Sequence, residues 1–283
     1  MVLESLMDPE RAERRKILVL GLGFVFAIIG AILASALGGP TQSMLFVFFT
    51  TIPAIPLMYA IIKYEEEKDL KPFSEKKLLK EHAKAIEAFF MLFLGMLFGM
   101  IVVFLVLPWQ QTAMMFDAQL HTFDQITSIT GKVTQTQMQN FNIIFFNNLK
   151  VLILAVVFSF LFGAGAIFIL TWNASVIAAA IGSFIKTQIA QATHLVGVDR
   201  LFMYTDTISY ALLMYSLHGI PEILAYFTAA LAGGIISIAI IRHDFGTENF
   251  ERIVLDSADL LFISLVLLLA SALLEVFVTP LIF

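Results

Sequence analysis

The residues best placed to do chemistry sit in one short stretch, His218-Gly219-Ile220-Pro221-Glu222, an imidazole and a carboxylate four positions apart in otherwise apolar sequence. Gly219 suits the end of one helix and Pro221 the start of the next. Glu222 would then stand in a first turn, where the helix dipole favours an anion. If two helices meet at that turn, His218 can donate a charge-assisted hydrogen bond to Glu222. A structural pair is the first reading and a proton or ion relay the second. A metal site comes third, because one imidazole and one carboxylate are too few ligands and no HExxH pattern occurs.

Four further polar residues stand at or inside apolar runs, where an uncompensated polar group is expensive and each is therefore a candidate for function. Asn147 and Asn148 precede a run beginning at Leu149 and can cap a helix there by accepting from first-turn amides. Asn173 follows Trp172 and can cap a helix from Ala174 onward, or hold helices together. Glu275 lies deep in the last apolar run, either paired with another helix or facing a wet groove. The chain has no cysteine, which removes thiolate nucleophiles, disulfides and Cys-based metal sites. No GxSxG, HExxH or Walker A pattern is present, so neither catalysis nor a resident cofactor or metal is expected.

Helices in lipid must position these groups. At 59% hydrophobic and 14% charged, with mean hydropathy +0.90, the chain of 283 residues is too apolar for a water-soluble domain. Its apolar runs are continuous rather than alternating, which selects helices over barrel strands. The net charge of −5 is small, and the basic residues form blocks beside apolar runs, so they read as topology signals rather than a nucleic-acid surface.

The predicted fold class is all-α, a polytopic transmembrane bundle of about six spans plus short re-entrant or interfacial half-helices. A cytoplasmic segment, 1–16, carries Arg11, Arg14, Arg15 and Lys16. Residues 17–107 hold three spans, the second (Met44 to Ile62) kinked by Pro53 and Pro56, with a charged cytoplasmic loop at 63–87. The third span carries Gly95 and Gly99 at GxxxG spacing, for packing within the chain or for a dimer face. Residues 108–148 hold one basic residue, Lys132, and read as an extracytoplasmic amphipathic loop. Its apolar face of Phe116, Leu120, Phe123, Ile126, Ile129 and Val133 would lie on the membrane surface, on a partner or on the protein's own spans. Residues 149–241 contain two spans, and between them the short runs Ala174 to Ile185 and Ile208 to Leu217. Each spans about 18 Å or less against a core of about 30 Å, hence the half-helices. Residues 242–283 form a linker and the last span. If the half-helices are re-entrant, the C-terminus returns to the cytoplasmic side.

An Asn-Asn pair opening a span, Gly163 and Gly165 within it, an Asn shortly after it, and His-Gly-x-x-Glu leading into a small-residue span together resemble the stage II sporulation protein M family of integral membrane proteins. The resemblance covers about Phe141 to Ile241. It implies motif roles for Asn147, Asn148, Gly163, Asn173, Gly182, His218, Gly219 and Glu222. Two positions depart from the family pattern: Ala174 follows Asn173 where Gly is usual, and Leu217 precedes the histidine where many members have Pro. The resemblance implies a membrane anchor for cell-wall-degrading proteins in spore formers, one that is not itself the hydrolase. Members in organisms that make no spores, archaea included, imply the architecture more firmly than the process.

Two functions compete. One is a multi-pass scaffold in the cell membrane that recruits other membrane or cell-envelope proteins through the 63–87 and 108–148 loops and is homo-oligomeric. The other is the membrane-spanning component of a transporter with a polar site around His218, Glu222 and Asn173, with Glu275 also lining the path. That component would need a separate ATPase. A connected polar cavity favours transport, and a dry mutual contact favours the scaffold.

Overall fold

Long apolar stretches rich in Leu, Ile, Phe and Ala satisfy their backbone groups internally only as helices, and every regular element among the described residues is helical. The computed structural model describes residues 8–70, 75–130, 136–162, 164–191, 198–242 and 246–282. The order is α1 (Pro9–Arg14), α2 (Lys16–Leu37), α3 (Gln42–Thr51), α4 (Ala54–Asp69), α5 (Glu75–Val106), α6 (Trp109–Met115), α7 (Asp117–Thr130), α8 (Gln137–Phe162), α9 (Ala166–Gln191), α10 (Val198–Ile241) and α11 (Glu248–Leu273). A single π turn, Leu274–Val278, then leads into α12 (Thr279–Ile282).

Local chemistry sets several boundaries. The Asp8 side chain accepts from the Arg11 amide at the start of α1. Gly38 and Gly39, at φ 61° and 88°, turn the chain out of α2 through a left-handed region that a Cβ disfavours. The second span breaks at Ile52–Pro53 into α3 and α4, as its prolines lead one to expect. The Thr247 hydroxyl accepts from the Phe250 amide and opens α11.

Among the described residues seven helical stretches, the last including the π turn and α12, are long and apolar enough to cross a membrane: Lys16–Leu37, Gln42–Asp69, Lys76–Val106, Gln137–Leu161, Ala166–Gln191, Phe202–Ile241 and Glu248–Ile282. The all-α polytopic bundle is as expected, with seven candidate stretches where about six spans plus half-helices were expected. The runs 174–185 and 208–217 are the apolar middles of α9 and α10, which continue through the polar residues on either side. Periodicity in a short apolar run cannot show that its helix continues. The predicted span 149–170 is instead the end of α8, a break around Ala164, and the start of α9.

Side-chain contacts fix the two ends of the bundle independently. At one end, Arg242 after α10 pairs with Glu66 and Glu67 of α4, and His82 of α5 pairs with Glu65 and Asp69 of α4. At the other, the Lys186 Nζ of α9 donates to the Leu107 carbonyl at the end of α5, 2.8 Å, and to Thr112 Oγ1, 3.0 Å. The predicted loop 63–87 is therefore not a loop for most of its length. It comprises the charged ends of α4 and α5, folded into the bundle.

The core joins α2 to α5 through glycines. A Cβ on Gly95 would overlap the Leu20 carbonyl and stand 2.9 Å from the Phe24 nitrogen, so the GxxxG face is filled from within the chain. Phe89 and Phe93 pack on Phe227 with centroids 5.7 and 6.1 Å apart, tying α5 to α10. Phe116, predicted on an amphipathic face, is buried between Phe46 at 5.4 Å and Phe104 at 4.9 Å, against the protein's own spans. Val133 and the side chains of Ile126 and Ile129 lie outside the described residues.

Candidate functional site

The helix α10 runs unbroken through the His-Gly-x-Pro-Glu stretch. Pro221 lies inside it and leaves the Leu217 carbonyl without its usual amide donor, yet the predicted turn does not form. His218 and Glu222 are thus one turn apart on a single helix, and Glu222 takes a different partner. The Tyr226 hydroxyl, on the next turn, donates to Glu222 Oε1 at 2.9 Å. Gly219 ends nothing, and no neighbour crowds the space beside it.

Three elements converge on that contact. From α9 comes Asn173, a mid-helix residue rather than a cap, whose side chain lies near the Tyr226 hydroxyl. Glu275, held in the π turn, lies close enough to the Tyr226 hydroxyl for its charge to act there, and the Glu222 charge acts on Glu275. Such wide turns are commonly found at functional sites. Ser271 Oγ donates to the His218 carbonyl at 2.8 Å and clamps α11 to α10 beside the proline, while Thr279 Oγ1 donates to the Leu274 carbonyl at 3.0 Å within the widened segment. Asn173 Nδ2 and His218 Nδ1 are shielded from solvent and have no hydrogen-bond partner.

Depth follows from the neighbours of α9. Thr171, two residues before Asn173, sits 3.7 Å from the Met96 sulfur, in the middle of the apolar run of α5. The cluster therefore lies level with the apolar middle of α5. Asn147 and Asn148 fall in the middle of α8, so neither caps it; Asn147 is exposed and Asn148 is buried. Gly182 lets α9 approach α5, because a Cβ there would overlap the Phe104 ring. Gly163 lies outside the described residues.

Sequence reading missed a second polar cluster at the charged end, made of Glu13, Glu65, Lys68, Asp69 and His82, all buried. Lys68 Nζ donates to Glu13 Oε1 and Oε2 at 2.9 and 3.1 Å and to Glu65 Oε1 at 2.6 Å, and lies 3.5 Å from Glu81 Oε2. His82 spans Glu65 and Asp69, with Nδ1 2.9 Å from Glu65 Oε2 and Nε2 3.1 Å from Asp69 Oδ1. The signal was present: 65, 68 and 69 share a helix face, a spacing that a charged-loop reading ignores. Among the described residues no group of three or more His, Asp or Glu side chains is arranged to hold a metal ion.

Glu13 is the cluster's link to α1. Burial, reinforced by the hydrogen bond to Glu65, pushes its carboxyl up to about 7 despite Lys68. A folded-state value above the usual 4.5 means that its contribution is fully present below about 4.5 and lost as pH rises through about 7. The amides of α1 are expected to lose hydrogen-exchange protection as pH rises past neutrality. Glu13→Gln should flatten that dependence. An α1 whose protection is insensitive to pH in the wild type would refute the assignment.

The fold defines a polytopic α-helical integral membrane protein, with a polar cluster among its apolar helices. The sequence model of Stage II sporulation protein M matches residues 88–280, well over half of the chain, and the chain belongs to that family. The match extends beyond the 141–241 stretch that carries the resemblance, taking in α5 from Ala88 onward and the π turn. No curated protein and no solved structure matches the chain.

Proposed function

We propose that this protein is a membrane scaffold that positions partner proteins on the face opposite the charged end. The observation that carries this reading is the length of α10. Its 44 residues extend about 66 Å, twice a bilayer core of about 30 Å. Tyr210 stacks on Phe184, centroids 5.8 Å apart, two residues before the boundary-marking Lys186. The helix before Tyr210 therefore projects about 18 Å further. On that projection Phe202 is 63% exposed, beside exposed Thr205 and Asp206. An aromatic side chain held outside the hydrocarbon on a rigid helix suits recognition of another protein. The charged ends of α4 and α5, one of the two docking surfaces expected from the sequence, are largely occupied with each other and with α1.

The test is crosslinking and mass spectrometry of the reconstituted protein in membranes of its native host, comparing wild type with Phe202→Asp and Glu222→Gln. The scaffold reading expects cell-envelope proteins captured by wild type and by Glu222→Gln but lost with Phe202→Asp. Capture indifferent to Phe202 refutes it. The second reading, a transporter component acting with a separate ATPase and with further copies of this chain, is supported by the Asn173, Glu222, Tyr226 and Glu275 cluster. It expects ATPase capture, and flux into vesicles that Glu222→Gln abolishes.

A further inference from the structure

We propose that the apolar groove between α2 and α5, at the end of the bundle opposite the charged cluster, holds an acyl chain of an anionic phospholipid whose headgroup sits on Lys186. The site is independent of the docking surface on α10.

The groove has a volume of about 590 Å³, within the range of about 300–1,000 Å³ usual for ligand sites. Ile32 and Ser35 of α2, Val103, Val106 and Leu107 of α5 and Met115 of α6 line it. Its α2 wall, residues 28–36, extends about 12 Å along the helix. Ile32, at 62% exposed, and Val106, at 75%, leave it open along one side. Both belong to stretches long and apolar enough to cross a membrane, so an opening between them faces acyl chains.

Lys186 supplies the charge. Its Nζ is fixed beside the groove: the Leu107 carbonyl that accepts from it at 2.8 Å belongs to a lining residue, and Thr112, whose Oγ1 accepts at 3.0 Å, stands one turn from Met115. The rings of Phe104 and Trp109 lie 5.2 and 5.9 Å from the ammonium. All of these contacts are to neutral groups, and among the described residues no carboxylate pairs with Lys186. Two oxygens leave a third ammonium proton for an acceptor from outside the chain. An anion complements such a cation, and a phosphate joined to an apolar chain is what an anionic phospholipid brings to a basic site between helices. Trp109, 58% exposed, is of the residue type that marks the headgroup level of a membrane.

Trp109 is also the probe. The chain has two tryptophans, so Trp172→Phe leaves Trp109 as the sole one. The full chain with that substitution, in phosphatidylcholine vesicles, is given phosphatidylglycerol or phosphatidylcholine brominated near the headgroup end of the chains, and quenching of Trp109 fluorescence is followed against mole fraction. Phosphatidylglycerol is expected to reach half-quenching at about a fivefold lower mole fraction, the preference that one lysine near a membrane surface gives. Lys186→Gln should abolish the difference and Lys186→Arg should keep it. Ser35→Phe, which fills the exposed mouth of the groove and leaves Lys186 in place, should abolish it too. Equal quenching by the two lipids before any further substitution overturns the proposal and leaves Lys186 as a cap on α5. A preference that survives Lys186→Gln or Ser35→Phe also overturns it. Competition by inorganic phosphate, but not by chloride at equal ionic strength, assigns Lys186 to a free anion and overturns it. So does a disulfide between copies carrying Ile32→Cys, the sole cysteine of such a chain, because a second copy of the protein then covers the groove.

Discussion

Lys68→Met is expected to destabilise the bundle by about 3–5 kcal/mol, the usual consequence of removing one partner from a buried ion network. Lys68 is 3% exposed and touches Glu13, Glu65 and Glu81, carboxylates from three different helices. Without the ammonium, Glu13 and Glu65 are left buried beside each other, and His82 is shared between Glu65 and Asp69. The loss should appear as a lower thermal unfolding midpoint in detergent, with α1 becoming open to proteolysis before the rest. Adding Glu65→Gln to Lys68→Met should recover part of the loss, because neighbours in one network do not act additively. Equal midpoints for wild type and Lys68→Met would show that the network contributes nothing net.

The membrane-helix class was legible because hydrocarbon leaves few alternatives, and the proline break at Ile52–Pro53 because proline lacks the donor a helix needs there. The intramembrane residues were legible too, since Asn173, His218, Glu222 and Glu275 stand out against apolar sequence. Their arrangement was not. Local signals around Gly219 and Pro221 spell a turn, but α10 packs on α9 before the proline, through Tyr210 and Phe184, and on α8 after it, where Gly233 lies against the Val156 carbonyl, and tertiary contact outweighs one missing hydrogen bond. Tyr226 escaped notice because a tyrosine in a span reads as an ordinary core aromatic until its hydroxyl is seen on Glu222. The charged end failed for the converse reason. Lysines and acids in sequence look solvated, and only the fold shows Glu65 and Lys68 facing inward.

Gly95→Leu is expected to destabilise by about 1–3 kcal/mol or more, the cost of forcing bulk into a filled contact. The magnitude should sit at the upper end, because the obstacle is backbone. A Cβ there meets the Leu20 carbonyl and the Phe24 nitrogen of α2, and neither can rotate away as a side chain could. The two helices must separate or slide, taking with them the reciprocal contact in which Gly23 lies against the Leu92 carbonyl. Gly21, on the same helix as Gly23, supplies the control. Nothing lies within 4 Å of a Cβ placed there, so Gly21→Leu should change stability by no more than about 0.5 kcal/mol. Thermal unfolding of the two variants in one detergent decides between the readings. Comparable losses for both would mean that any added bulk in a span is harmful, and that the close approach of α2 to α5 has no special part in holding the bundle together.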